Sequence, residues 1–254
     1  MKLIRYSFEG AEKYGAVEGD EIRPMTGGIG ALEPERGAKS LALGKVRVLA
    51  PLMPSKIVAV GRNYSDHAKE MGRELPTEPI LFLKPPSAVI GPDENIVYPP
   101  QTSRLDYEGE LGIVIGRRAH KVSQAEARQY VLGYTCAIDV TARDLQARDV
   151  QFGRAKGFDT FAPIGPMIVT DIDPTDLLLE TRLNGEVRQH GRTSQMIFNC
   201  DFLLSYISQV MTLMPGDLIS TGTPAGVGPM KVGDKVEVEI ERVGCLRNTV
   251  VAPD

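Results

Sequence analysis

Cysteine is scarce in this chain. Cys136, Cys200 and Cys245 stand far apart, odd in number and without a C-x-x-C spacing. That pattern excludes a disulfide framework and a cysteine zinc site, and it leaves each thiol as a small core residue. A strong charge of one sign is also missing. The net charge of −4 gives no electrostatic case for nucleic acid or an anionic membrane surface. No apolar run approaches the length of a spanning helix. The opening Met1-Lys2-Leu3-Ile4-Arg5-Tyr6 carries no sustained apolar stretch of the secretory kind, so the expectation is a cytoplasmic protein with neither nucleic-acid nor membrane partners. Internal repeats and low-complexity segments are lacking too. What is present is ordinary for a soluble globular chain: 254 residues, 42% hydrophobic and 24% charged. That suffices for one large domain, or a main domain with a small appendage.

Alternating segments at Met1–Phe8 and Tyr14–Val17, a turn at Glu18-Gly19-Asp20, and Glu21–Pro24 read as short strands. Pro51 and Pro54 mark a boundary, so a small N-terminal β domain over 1–52 and a main domain over 53–254 are expected. The main domain opens on Lys56–Gly61, a buried strand by composition. A short helix follows, capped by Ser65 or Asp66 and ended by Gly72. Ile80-Leu81-Phe82-Leu83 is a strand that runs into Lys84-Pro85-Pro86. Ser123-Gln124-Ala125-Glu126 reads as a capping box opening a helix to about Leu132, stopped by Gly133. Tyr134–Ile138 is then a strand, Thr141–Gln146 a helical turn, Gly153–Phe158 a glycine-flanked loop, and Pro163–Thr170 a strand. Leu179–Gln189 is a hairpin with Asn184-Gly185 at its tip. Asn199 or Asp201 caps an amphipathic helix over Phe202–Met211. Gly222–Pro229 is a loop whose amides could face an anion. Strands dominate without a βαβ repeat, so the fold class is α+β, mostly β: a large rolled or sandwiched sheet with peripheral short helices.

The chemistry concentrates at Asp106-Tyr107-Glu108-Gly109-Glu110-Leu111-Gly112. The run after it is apolar and β-branched, a strand signature. Side chains at i and i+2 of a strand share a face, so Glu108 and Glu110 aim at one spot. Like charges that close raise each other's pKa unless a cation sits between them. An exposed edge strand would use the same pattern for solubility. Asp139, at the end of the Tyr134–Ile138 strand, adds a third oxygen donor. Such a set selects a hard cation, Mg²⁺ or Mn²⁺ ahead of Ca²⁺, and leaves coordination positions for a chelating substrate. His67 and Glu70, at i and i+3 of the short helix, make a usable acid–base pair, or a solvated surface ion pair.

At these residues the chain resembles the fumarylacetoacetate hydrolase family, from about Ile57 onward. The resemblance rests on Gly61-Arg62-Asn63-Tyr64-Ser65-Asp66-His67, Phe82-Leu83-Lys84-Pro85, Asp106–Leu111, Asp139-Val140-Thr141-Ala142-Arg143-Asp144, Lys156-Gly157-Phe158-Asp159 and Thr221–Gly228, in that order. It implies the family's β-rich fold and a catalytic Mg²⁺ or Mn²⁺ on Glu108, Glu110 and Asp139. It places His67 and Glu70 on a lid and Lys156 in the pocket, with Arg143, Gln146 and Thr223 as substrate-binding residues. It also implies a homodimer acting on a small 2-oxo or enol carboxylate. The N-terminal unit resembles the branch that includes 2-hydroxyhepta-2,4-diene-1,7-dioate isomerases of aromatic-compound catabolism. Acylpyruvate hydrolase and oxaloacetate decarboxylase are the alternatives, because all three reactions pass through one enolate. A non-catalytic dicarboxylate-binding protein would not need His67, Glu70 and Lys156 together. The substrate's far end is expected to meet loops at Arg73–Thr77 and Asp149–Arg154.

Overall fold

The computed structural model describes residues 1–70, 72 and 74–253. Arg73, at the start of one loop expected to face the substrate, and Met71 lie outside the described residues. The described residues form three sheets and four short α-helices: α1 Ser65–Glu70, α2 Arg143–Arg148, α3 Gly153–Lys156 and α4 Cys200–Val210. The fold is mostly β, as composition and patterning require.

A 13-stranded sheet forms the body. Its centre is Gly109–Ile115, flanked by Val131–Ile138 on one side and Leu218–Ser220 on the other. Beyond Leu218–Ser220 lie Ile57–Gly61, paired parallel, and the edge strand Ile80–Lys84. On the other side come Ala162–Val169 and then the N-terminal strands, joined through Leu3 opposite Ile168. A five-stranded sheet, including the hairpin Leu178–Leu183/Glu186–Arg192, packs over the middle of the large one.

Every residue of Gly109–Ile115 is buried, because sheets and loops cover both of its faces. Gly109 is the closest approach. A Cβ there would lie 2.1 Å from Thr181 Oγ1 and 3.0 Å from Val238 Cγ2 of the covering sheet. The glycine between the two glutamates therefore lets the second sheet close under one face while both carboxylates leave by the other. Asn184 and Gly185 adopt φ of 54° and 83°, the left-handed pair that a tight hairpin turn requires.

Four local expectations are corrected. Residues 123–132 do not form a helix; a 3₁₀ turn at Ala127–Tyr130 leads straight into Val131–Ile138, with Gly133 inside the strand. The Ser123 hydroxyl bonds the Glu126 carboxylate at 2.6 Å and caps no helix. The Tyr130 carbonyl accepts from Gly116 N, so sheet pairing overrides the helical signal. Gly153–Phe158 is not all loop: Lys156 N bonds Phe152 O at 3.0 Å and closes one turn of helix. α1 already contains Ser65 and Asp66, so neither precedes it as a cap. Cys136 and Cys200 are core residues as expected, whereas Cys245 is partly exposed. α4 matches expectation, with Asn199 Oδ1 accepting from Phe202 N at its start. Among the described residues, no helix is long and apolar enough to cross a membrane.

Candidate metal centre and active site

Register explains why three distant carboxylates meet. Gly109 pairs with Ile138, and the next rung joins Asp139 N to Glu108 O at 2.8 Å. Directly opposed residues of an antiparallel pair share a face. Glu108 and Glu110 share one by the period of two. The three residues are 5%, 2% and 2% exposed. One carboxylate oxygen from each lies within 4.8 Å of the others.

Cations interleave them. Lys156, on α3, donates to Glu108 Oε2 at 2.8 Å and Asp139 Oδ2 at 2.5 Å. Its ammonium also sits 5.1 Å above the Phe82 ring, a favourable placement for a cation. Lys84 donates to Asp139 Oδ1 and to Val140 O. Arg143 opens α2 and uses its whole fork: Nη2 to Glu108 Oε1 at 2.6 Å, Nε to Asp106 Oδ2 at 2.9 Å, and Nη1 to Gln146 Oε1 at 2.6 Å. Among the described residues, Glu110 takes no cation. Its Oε2 accepts from Ser220 Oγ at 2.5 Å and from Gly222 N at 2.9 Å. Gly222 has φ of 94°, and a Cβ there would fall 2.7 Å from Asn63 Cβ. Only glycine turns its amide onto Glu110 at that point without strain. The loop's amides do face anions: they face the protein's own glutamates.

Burial alone would raise Glu108, but Lys156, then Arg143 and His67, outweigh it and hold the carboxyl well below the ordinary range. At Glu110 burial, reinforced by the charges of Asp139 and Glu108, pushes the carboxyl up to about 8. The hydrogen bond from Ser220 and the charge of Lys156 pull it down but are outweighed. Burial opposes the charge on both lysines. It lowers Lys84 below its ordinary value, while the charges of Asp139 and Glu108 overcome it at Lys156 and hold that ammonium charged. The cations thus sit on Glu108 and Asp139, while Glu110 is held by neutral donors. A carboxylate oxygen that accepts one hydrogen bond keeps a second lone pair. Three buried carboxylates with oxygens within 4.8 Å of one another form an all-oxygen donor set, which fits a hard dication.

The cluster lies against a cavity of about 390 Å³, walled by Gly61, Arg62, His67, Phe82, Glu108, Arg143, Gln146, Ala147, Phe152 and Lys156. Phe82 and Phe152 meet edge to face, with centroids 5.6 Å apart. His67 is buried; its Nδ1 lies 3.2 Å from Glu70 Oε2. Glu70 also accepts from Gly226 N at 3.1 Å, which fastens α1 to the Gly222–Pro229 loop.

Of the nine residues singled out from sequence, Glu108, His67, Lys156, Arg143 and Gln146 line the cavity. Glu110 and Asp139 stand within 4.8 Å of Glu108, and Glu70 holds His67. Thr223 stands apart from the cavity wall. Its buried hydroxyl donates to Gly109 O at 2.8 Å and accepts from Gln189 Nε2 at 2.7 Å, supporting the backbone beneath the glutamates. Of the other expected loop, Phe152 reaches the cavity, while Asp149 is tied to Arg154 at 2.6 Å. Sequence reasoning missed Lys84, Asp106 and Ser220. A lysine ending an apolar strand, just before two prolines, was the available signal for Lys84.

Comparison with known proteins shows the family. Residues 56–251 match the pattern described as fumarylacetoacetate (FAA) hydrolase, C-terminal, and residues 1–51 match one described as Rv2993c-like, N-terminal. The chain is 44% identical to an oxaloacetate tautomerase, FAHD2A, of Bos taurus mitochondria, over 83% of this chain and 71% of that protein. It superposes on a 5-carboxymethyl-2-hydroxymuconate delta-isomerase of Mycobacterium smegmatis with a TM-score of 0.94, at 44% identity, with 100% of each chain covered. A maleylpyruvate hydrolase of Sphingobium sp. SYK-6, solved with manganese(II) and pyruvate, gives a TM-score of 0.83 at 30% identity, with 100% of both chains covered. The chain therefore belongs to the fumarylacetoacetate hydrolase family, a family of enzymes.

Proposed function

We propose that the protein is a divalent-metal-dependent enzyme that moves a proton between the enol and keto forms of 2-oxo dicarboxylic acids. Its substrates are of the 2-hydroxyhepta-2,4-diene-1,7-dioate kind found in aromatic-compound catabolism. The observation that carries this reading is the convergence of buried Glu108, Glu110 and Asp139 against a cavity that also holds His67. Those three carboxylates would hold Mg²⁺ or Mn²⁺. Once bound, the ion supplies Lewis-acid charge to the carboxylate and C2 oxygen of the substrate.

The chain's own groups do the rest. Lys156, kept charged by Glu108 and Asp139, stabilises negative charge that develops on the C2 oxygen. Arg143 and Gln146 orient the head of the substrate. His67, with Nδ1 engaged by Glu70, turns Nε2 to the substrate, accepts the proton released by the enol hydroxyl at C2 and delivers it to C3, with the reverse transfer for enolisation. Phe82 and Phe152 exclude water from that face.

The His67–Glu70 pair favours a second reading, hydrolysis of the C–C bond of an acylpyruvate. There His67 would deprotonate a water that attacks the distal carbonyl, and the same enolate would leave. The name of the bovine relative and the high TM-score with a delta-isomerase put the proton transfer first. The test is enol-to-keto conversion of oxaloacetate with Mg²⁺, with and without EDTA, beside cleavage of acylpyruvates. EDTA-sensitive ketonisation that fails in His67→Ala supports the reading. Ketonisation no faster than in buffer refutes it, and cleavage alone transfers the assignment to the hydrolase.

A further inference from the structure

Among the described residues, three lysine and arginine side chains line the cavity, and two of them are held in place by the chain's own acceptors, each with N–H donors left for the substrate head. Arg143 places Nε, Nη1 and Nη2 on Asp106, Gln146 and Glu108, and Lys156 bridges Glu108 and Asp139. Arg62 is the third. Among the described residues its guanidinium takes part in no hydrogen bond or ion pair. A half-buried arginine with its donors uncommitted, beside a cavity, is arranged to receive an anion from outside the chain.

The backbone points the same way. Arg62 has φ of 55°, a left-handed conformation that a residue with a Cβ adopts at a cost. Glycine would carry the same turn without strain. The turn is also locked. The Asn63 side chain accepts from Phe198 N at 2.8 Å and donates to Phe198 O at 3.0 Å and to Thr221 O at 2.7 Å, all buried. The strain is therefore held by a rigid anchor at the end of Ile57–Gly61, a few residues before His67. Strain kept at a cavity wall by such an anchor is characteristic of a functional position.

We infer that Arg62 is a specificity residue that binds the distal carboxylate of the substrate, so that the cavity selects dianionic 2-oxo acids over their monoanionic counterparts. The inference rests on the proposed function, which assigns the substrate's head to the ion that Glu108, Glu110 and Asp139 would hold and to Lys156, Arg143 and Gln146. It adds the recognition of the tail.

The test separates tail from head. Oxalate presents a head with no tail, and its Mg²⁺-dependent binding is read by calorimetry on wild type, Arg62→Gln and Arg62→Gly. Ketonisation kinetics are then compared for oxaloacetate and its 4-methyl ester, which keeps the head and loses the tail charge. The expected result is unchanged oxalate affinity in both variants, a KM for oxaloacetate raised about tenfold or more, and an unchanged KM for the ester. Arg62→Gly relieves the left-handed strain, so its Tm stays at or above that of the wild type while tail discrimination is lost. It decides the matter if Arg62→Gln does not fold. Equal KM changes for acid and ester, loss of oxalate binding in the variants, or no change at all would overturn the inference while leaving the proposed function standing. Failure of oxalate to bind the wild type would remove the proposed function and the inference with it.

Discussion

Lys156 lies 2.8 Å from Glu108 through a fully buried ammonium–carboxylate hydrogen bond, and the same ammonium reaches Asp139. Removing one partner of a buried pair leaves the other charge without compensation, typically at about 3–5 kcal/mol. Lys156→Met is therefore expected to lower the Tm of the metal-free protein strongly. Saturating Mg²⁺ should recover more of that loss than it adds to the wild type, because a dication satisfies the same oxygens. Catalysis should still fall about 10²–10³-fold, the usual effect of losing a donor to a developing oxyanion. Thermal scans with and without Mg²⁺, alongside ketonisation rates, check both halves.

The carboxyl of Glu110 is pushed up to about 8 by burial and by its acidic neighbours. The folded, metal-free chain then holds a proton that the unfolded chain has already released. Where the folded state binds more protons, stability falls as pH rises. The metal-free Tm should thus decline between the ordinary glutamate value of 4.5 and about 8. Metal must displace that proton, so Mg²⁺ affinity should climb across the same window and level off above it. Calorimetric titrations at several pH values read this directly; an affinity flat from about pH 5 to about pH 8 would contradict it.

Asp106 is fully buried and accepts from Arg104 Nε and Arg143 Nε, each at 2.9 Å. It aims the Arg143 fork so that the remaining nitrogens reach Glu108 and Gln146. Asp106→Asn keeps the shape but weakens two charge-assisted bonds. The expected outcome is a KM raised about ten- to hundredfold, the scale of a hydrogen bond to a charged group, in a protein that still folds and binds Mn²⁺. A change in kcat with KM untouched would argue against the positioning role.

Glu70 joins α1 to the rest of the site by accepting from Gly226 N and engaging His67 Nδ1. Glu70→Ala should speed hydrogen exchange at the Gly226 amide and lower kcat about a hundredfold, as expected for a disoriented general base. Unchanged exchange would show that α1 is held by other contacts.

The parts of the site legible in the sequence were those set by local geometry. Glu108 and Glu110 follow from the two-residue period of one strand. His67 and Glu70 follow from the three-residue neighbour relation on a helix, and Asp139 from its place at a strand end. Lys84 and Asp106 stood in quoted motifs without a role, because each acts through a partner 55 or 37 positions away. Only strand register brings such pairs together. Residues 123–132 carry a true helix-start signal that lost to pairing with two neighbouring strands. Thr223, expected at the substrate, is one layer deeper, under Gly109. Gly109 itself, the residue that lets the two sheets meet below the glutamates, looked like a spacer until the packing against Thr181 was in view.

The account turns on one shared ion. The most direct measurement is an anomalous-difference map from crystals grown with Mn²⁺ and oxalate. A single peak in coordination distance of Glu108, Glu110 and Asp139, with oxalate on its open side, is the expected result. A map without a peak there, or with manganese bound only by other groups, would contradict the account.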